Sequence, residues 1–412
     1  MIFQAFKREN YAANLIVFFL SVYVLINPLP HTTTIQGICL YASLLLFLGM
    51  RGSKAVKVFH GKTPLFFPTI LFVSWILLGV LFAVDRQNSM HDIYAHVFRY
   101  IILCILFVNV FFTRNRVRFL SGVILFSVVS FVIYSLVDFY VVRGNGIEER
   151  FFGNSHGMTY NLVSIPIIFS FFLVLCNLLI AKKKYFRPLY ILLLVPLVSA
   201  LVLTQARSAF IALVISSVTF LLFYRKNLIP IIVVIFAAIF IFTPFKDRFS
   251  GNITTNLRLN HNLLVLEVVK DYPLAGIGFG METFGYSLDL NSYKNKLERT
   301  YNTQYGQEVV LIDPHNMYTD ILVRTGLPGF VLYLWFILAL FRMLLKIRRS
   351  EDIFLRAWSL GVASSLVAYC IIGFFEPVFS HVHEFYFALM VSLAAILWKQ
   401  HSPESANFPR NQ

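Results

Sequence analysis

Residues 318–345 have the sequence YTDILVRTGLPGFVLYLWFILALFRMLL, a long and mostly apolar stretch. A transmembrane helix needs about 20 such residues, so this stretch predicts a membrane span. The whole chain has a similar character, with 58% hydrophobic and only 13% charged residues over 412 positions. Soluble domains carry about 25% charged residues. The composition therefore predicts a multi-span membrane protein and excludes a disordered chain.

Eleven further stretches are long and apolar enough to cross a bilayer, so we predict an all-α integral membrane protein with about 12 transmembrane helices. The predicted spans are residues 10–28, 34–50, 64–84, 93–113, 118–140, 159–181, 188–205, 208–224, 228–244, 318–345, 353–375 and 383–398. One connection is long, and it contains helix-like stretches such as residues 257–271. We therefore divide the chain into helices 1–9 (residues 1–244), an outer loop (245–317) and helices 10–12 with a tail (318–412).

The net charge of +15 arises from 35 Lys and Arg against 20 Asp and Glu. In a soluble protein such a surplus would suggest nucleic-acid binding. Here the basic residues concentrate in alternate short loops, as the positive-inside rule describes. Both termini are then expected in the cytoplasm, and the outer loop in the periplasm of a Gram-negative cell. The surplus reflects topology, so we expect no nucleic-acid partner.

Two arginines on the outer side are candidate anion-binding residues. Arg207 lies in a tight turn between spans seven and eight, where an unpaired arginine costs about 2.5–3.5 kcal/mol on membrane insertion scales. Arg258 lies early in the outer loop. The structural alternatives are a helix-end arginine that reaches the lipid headgroups and a solvated loop residue. The Gly-x-Gly-x-Gly run at 276–280 lacks the βαβ context of a dinucleotide site, so it predicts a tight turn.

His315 lies where the outer loop re-enters the membrane, in a pattern of His-Asn, nine residues and then Gly-x-x-Gly. A histidine there is placed to act as a base near neutral pH. The alternative is a structural histidine that caps the helix. Asp320 and Arg324 are spaced four apart on the predicted helix, so they either orient His315 or pair with each other.

Arg150 lies in a separate, shorter loop on the outer side, before span six. It is a further supporting candidate, either for anion binding or for a surface role. His381 and His383 resemble metal ligands, but no third ligand follows at a standard spacing. We find no Walker loop, HExxH motif or nucleophile elbow. We therefore expect neither a metal nor a cofactor. The sequence assigns no role to Glu376 or His156.

Together these residues resemble the O-antigen ligase and polymerase family. The twelve-span layout with one large outer loop before span ten also fits that family. Leu264 departs from it, since relatives often carry an aromatic residue near this position, and the departure concerns packing more than chemistry. The matching motifs are Arg207-Ser208-Ala209, Arg258 followed by Pro273 and Gly276-x-Gly278, and His315-Asn316-x9-Gly326-x2-Gly329.

The resemblance implies an O-antigen ligase, a glycosyltransferase at the periplasmic face of the bacterial inner membrane. The donor would be a glycan linked to undecaprenyl diphosphate, and the acceptor the lipid A–core oligosaccharide. Arg207 and Arg258 would bind the diphosphate, and His315 would be the catalytic base. Transfer would need no metal or ATP and would invert the anomeric carbon, while membrane lipids surround the spans.

Other functions stay open at this stage. An O-antigen polymerase and a protein O-oligosaccharyltransferase use the same donor and differ in the acceptor, which the sequence does not reveal. A polyprenyl-linked glycan transporter or flippase is an alternative of another class. Such proteins usually carry internally repeated halves and polar residues near the bilayer midplane, and the sequence shows neither clearly. The sugars and the oligomeric state are also unassigned.

Overall fold

The computed structural model describes residues 11–52, 63–151, 163–181, 185–242, 254–301, 314–377 and 381–402, except for the side chains of some residues at helix ends. Within these ranges the chain forms fourteen helices of twelve or more residues and no strand. They are α1 Tyr11–Ile26, α2 Thr33–Gly52, α3 Phe66–Gly79, α4 Arg86–Val110, α5 Arg114–Val142, α6 Ser164–Ile180, α7 Phe186–Leu203, α8 Arg207–Tyr224, α9 Ile229–Phe242, α10 Thr254–Asp271, α11 Leu290–Tyr301, α12 Met317–Ile347, α13 Ile353–Ile372 and α14 His381–His401.

The helices match the predicted positions, and α10 covers the helix-like stretch predicted in the outer loop. Among the described residues, eight helices are long and apolar enough to cross a membrane, in agreement with a multi-pass membrane protein. Shorter apolar helices lie at four other predicted spans, so the count of twelve stays a prediction. These four are Tyr11–Ile26, Phe66–Phe82, Ser164–Ile180 and Lys226–Ala238.

Two contacts define one end of the bundle, which we call the basic end. Arg348, just after α12, lies over the ring of Phe223 near the end of α8, at 4.1 Å from the ring centre. Arg114, at the start of α5, forms an ion pair with Asp352, just before α13. Since α8 and α12 end here and α13 begins here, the start of α8 and the end of α13 lie at the opposite end. We call this opposite end the site end.

The helix α12 is broken near its start, whereas the sequence predicted one continuous span over residues 318–345. Gly326 has φ +66° and ψ −178°, which no helix residue adopts. The hydroxyl of Tyr333 lies 3.5 Å from Sδ of Met317, although a straight helix would separate these residues by about 24 Å along its axis. The chain therefore bends sharply between a short arm, residues 317–325, and a long arm, residues 327–347.

Residues 273–278 cross the break and pair with its backbone. The N–H of Ile277 donates to the carbonyl oxygen of Val323 at 2.9 Å. The N–H of Leu327, the first residue of the long arm, donates to the carbonyl oxygen of Pro273 at 2.9 Å. A helix break leaves such groups without intrahelical partners, and this segment supplies them.

Glycines make this close pairing geometrically accessible. Gly276 and Gly326 both have left-handed backbones, with φ of +70° and +66°. A Cβ at Gly326 would overlap the carbonyl group of Leu274, and one at Gly276 would overlap that of Arg324. The glycine run therefore forms the tight turn that the sequence predicted, and not a nucleotide-binding loop. This turn packs against the helix break.

A small second core joins α10 to the short arm. Leu264 is fully buried in it, which agrees with a packing role for the residue that departs from the family pattern. The carboxylate of Glu267 accepts hydrogen bonds from Lys270 and from Lys296 of α11, and the bond from Lys270 is the main cause that lowers the pKa of Glu267. The core consists of Leu264, Val265, Val268, Ile277, Phe284, Leu290 and Val323.

We predict that Gly326→Ala lowers the free energy of unfolding by about 2–5 kcal/mol, because the methyl group meets backbone in a left-handed conformation. Thermal unfolding in detergent measures the effect. Gly122→Ala in α5 is the matched control, since nothing lies within 4 Å of the added methyl group there. Equal unfolding temperatures for the two variants would contradict the role assigned to the break.

Candidate functional site

Arg207 is the first residue of α8, at the site end of the bundle, and its side chain is half-buried. The residue before it, Ala206, contributes no side-chain hydrogen bond to cap the helix. Gln205 has a left-handed backbone, with φ +48°. The N–H groups at a helix start favour a nearby anion, and the helix dipole adds to this. The start of α8 and the guanidinium of Arg207 therefore form one electropositive position.

Arg150 contacts the turn that precedes Arg207. Its Nε donates to the carbonyl oxygen of Thr204 at 3.3 Å. In return, the Gln205 side-chain amide donates to the carbonyl oxygen of Glu148 at 3.1 Å. The structure thus brings Arg150 to the turn of Arg207, where it supports the backbone on which Arg207 stands.

His315 lies immediately before α12, with a left-handed backbone (φ +51°) and an exposed side chain. Asn316, not His315, caps the helix, because its side-chain oxygen accepts the N–H of Tyr318 at 2.9 Å. The N–H of Met317 donates to the carbonyl oxygen of Gly373 at 2.6 Å, which attaches this corner to the end of α13. The imidazole of His315 is therefore held at the surface of the site end.

The helix α10 packs beside this corner. The ring of His261 lies 6.1 Å from that of His315, centre to centre, with 27° between the planes. The hydroxyl of Thr319 approaches the side-chain oxygen of Asn262 at 3.5 Å. Arg258 precedes His261 by three residues, so the two positions share one face of α10. The side chain of Arg258 lies outside the described residues.

Asp320 and Arg324 form a buried ion pair within the short arm, 2.5 Å from Nε to Oδ1, with side chains at most 1% exposed. Arg324 also donates to the carbonyl oxygens of Gly280 and Met281. This arginine therefore ties the short arm to the end of the glycine segment. The contacts favour a structural role, and the assignment of both residues as support for His315 stays a prediction.

A cavity of about 610 Å³ opens between α3, α4, α12 and α14, and we call it the groove. Most of its wall is apolar. Its polar lining residues include Tyr333, whose hydroxyl contacts Met317. Tyr333 therefore connects the groove wall to the corner that carries His315. Its apolar wall includes Phe66, Ile70, Val73, Ile105, Phe336 and Val391.

Sequence reasoning missed one pair of residues in this wall. Nδ1 of His96 lies 2.7 and 2.9 Å from the two carboxylate oxygens of Glu384. Both residues fall within predicted spans, and an ionisable residue inside a span is a functional candidate by default. That signal was available in the sequence. Their pairing was not, because 288 residues separate them.

The remaining outer-side candidates are only partly described by the structure. His383 is buried and its Nδ1 lies 3.0 Å from the carbonyl oxygen of Pro377, while Glu376 is also buried. His156 and the side chain of His381 lie outside the described residues. Among the residues that the structure describes, no three His, Cys, Asp or Glu side chains are grouped to hold a metal ion.

Part of the chain matches a known family. Residues 189–334 match a family model described as O-antigen ligase. The matched segment contains Arg207, Arg258, His315 and Gly326, so it confirms the resemblance seen in the sequence. Comparison with curated proteins finds no match.

We predict that Arg324→Ala destabilises the protein by about 3–5 kcal/mol, because it leaves Asp320 buried without its cation. The double variant Arg324→Met with Asp320→Leu should recover much of this loss, since an apolar pair can replace a buried ion pair. Thermal unfolding in detergent checks both. An Arg324→Ala protein that unfolds at the wild-type temperature but is inactive would instead give Arg324 a chemical role.

Proposed function

Because the chain is an O-antigen ligase family protein, we propose that it transfers a polysaccharide from undecaprenyl diphosphate to the lipid A–core oligosaccharide at the periplasmic face of the inner membrane. The observation that carries the proposal is that three elements lie at the site end of the bundle. These are the start of α8 with Arg207, the exposed His315, and the face of α10 that carries His261 and the position of Arg258.

The two arginines suit a diphosphate donor. A guanidinium offers a planar fork of donors that matches phosphate oxygens, which a lysine ammonium does not reproduce. Negative charge grows on the diphosphate as the bond to the sugar breaks. Fixed cations beside it, with the uncapped start of α8, stabilise that transition state more than the ground state.

His315 is proposed as the base. A hydroxyl of the acceptor sugar attacks the anomeric carbon of the donor, and its proton passes to the imidazole. The bond from the anomeric carbon to the diphosphate oxygen breaks, and undecaprenyl diphosphate leaves with the electron pair. One such displacement inverts the anomeric carbon. The exposed position of His315 supports this role, because a base must reach the hydroxyl that it deprotonates.

The groove supports a lipid-linked donor. An isoprenoid chain needs apolar surface, and Phe66, Ile70 and Ile105 in the groove wall are 46–49% exposed. One residue of the groove wall, Tyr333, contacts Met317, two residues after His315. A chain bound in the groove would therefore present its diphosphate end towards the corner of α12.

We predict that Arg207→Ala, Arg258→Ala and His315→Ala each reduce transfer by about 100-fold or more, since each removes a charge stabiliser or the base. Lysine at either arginine position should restore little activity. The measurement is product formation by purified protein in detergent with lipid-linked donor and acceptor, and with no energy source.

Arg143→Ala is the matched control for the arginine variants. Arg143 is also predicted on the outer side, where it pairs with Asp138 at 2.8 Å, and it has no part in the proposed chemistry. Full transfer by a well-folded His315→Ala protein would remove the histidine from the mechanism. Product that forms only with a second lipid-linked glycan as acceptor would identify a polymerase, and product with a protein acceptor an oligosaccharyltransferase.

We further predict that EDTA leaves the transfer rate unchanged, because arginines rather than a metal ion are proposed to neutralise the diphosphate. The rate is measured in the same purified assay before and after chelation. Strong inhibition that a single divalent ion reverses would contradict the metal-free mechanism.

A further inference from the structure

The groove contains two ionisable residues that the mechanism above does not use. The side chains of His96 and Glu384 are only 10% and 6% exposed, and the hydroxyl of Tyr100 bonds to the same carboxylate. Ionisable groups at membrane depth are costly and usually mark functional positions. Well-packed apolar residues could replace such a pair without loss of stability. The pair therefore calls for a reason other than stability.

The position of the pair along the bundle suggests what it meets. The Gln400 side chain donates to the carbonyl oxygen of Phe112 at 2.7 Å, which joins α14 to the end of α4 near the basic end. Glu384 lies sixteen residues before Gln400, a rise of about 24 Å along α14. His96 lies fourteen residues before Val110, the last residue of α4, a rise of about 21 Å. The hydrocarbon core is about 30 Å thick, so the pair lies in its outer part, where polar headgroups begin.

The chemistry of the pair suits an anion. A carboxylate bound to one imidazole nitrogen fixes the orientation of the ring. A protonated imidazole donates a charge-assisted hydrogen bond to a phosphate. Arg99, one turn beyond His96, donates to the Tyr23 hydroxyl at 3.2 Å and adds a second positive charge beside Glu384. With His96 protonated, these three residues carry one net positive charge.

We propose that His96, oriented by Glu384, binds the phosphate nearest the isoprenoid chain of the donor. Much of the groove wall is apolar, so a polyprenyl phosphate is best accommodated with its chain along the wall and its first phosphate at His96. His96 is then a positioning residue that holds the diphosphate for Arg207 and His315. The identity of this ligand rests on the proposed function.

Binding of three probes to the purified full-length protein tests the inference: geranylgeranyl diphosphate, geranylgeranyl monophosphate and geranylgeraniol. The wild-type protein should bind both phosphates at least about tenfold more tightly than the alcohol. His96→Ala should lose about tenfold for both phosphates and nothing for the alcohol, and Glu384→Gln should lose less. Arg207→Ala should weaken the diphosphate while the monophosphate is unchanged.

His91→Ala is the matched control, since His91 lies on the same helix and its side chain is 75% exposed. Retained binding of the alcohol shows that each variant is folded. His96→Gln provides a second variant, whose side-chain amide keeps a hydrogen-bond donor. Equal affinity of the wild-type protein for the monophosphate and the alcohol would overturn the proposal. It would also be overturned if His96→Ala weakened binding of the monophosphate and of the alcohol by the same factor. If the protein transferred no glycan but still preferred the phosphates to the alcohol, and if this preference depended on His96, only the ligase function would be refuted.

Discussion

The break in α12 at Gly326 is the constraint on which the rest of the site depends. A membrane cannot hydrogen-bond backbone groups that a broken helix exposes, so another segment must do so. Residues 273–278 meet this need, and their glycines allow the two backbones to approach. The outer loop is therefore joined to the bundle by the same bonds that make the break stable, and Arg324 reinforces that junction from within.

The short arm that the break creates determines where His315 stands. Asn316 caps this arm and Met317 bonds to the end of α13, so the histidine projects from a corner held at two points. The second core under α10 holds that helix beside the corner. Residues from three separate segments therefore lie at one end of the bundle, although no single segment contains all the candidate residues.

Two pairs of buried ionisable residues differ in their surroundings. Asp320 and Arg324 are enclosed, and the arginine bonds to backbone carbonyls as well as to its partner. His96 and Glu384 instead line the groove, whose wall is mostly apolar and includes half-exposed side chains. The first pair has the surroundings of a structural support, and the second those of a ligand site. The residue types and their spacing in the sequence would not distinguish the structural pair from the ligand-binding pair.

The sequence by itself determined the positions of the apolar helices, the helix in the outer loop and the resemblance to the O-antigen ligase family, because apolar length and short motifs are local properties. It also placed Asp320 and Arg324 on one helix face, since they are four residues apart, but it left open whether they pair with each other or orient His315. The tertiary structure alone decided that the apolar run 318–345 bends at Gly326, that the glycine segment covers the bend, and that His96 meets Glu384. These features depend on contacts between residues far apart in the chain, and only packing brings such residues together.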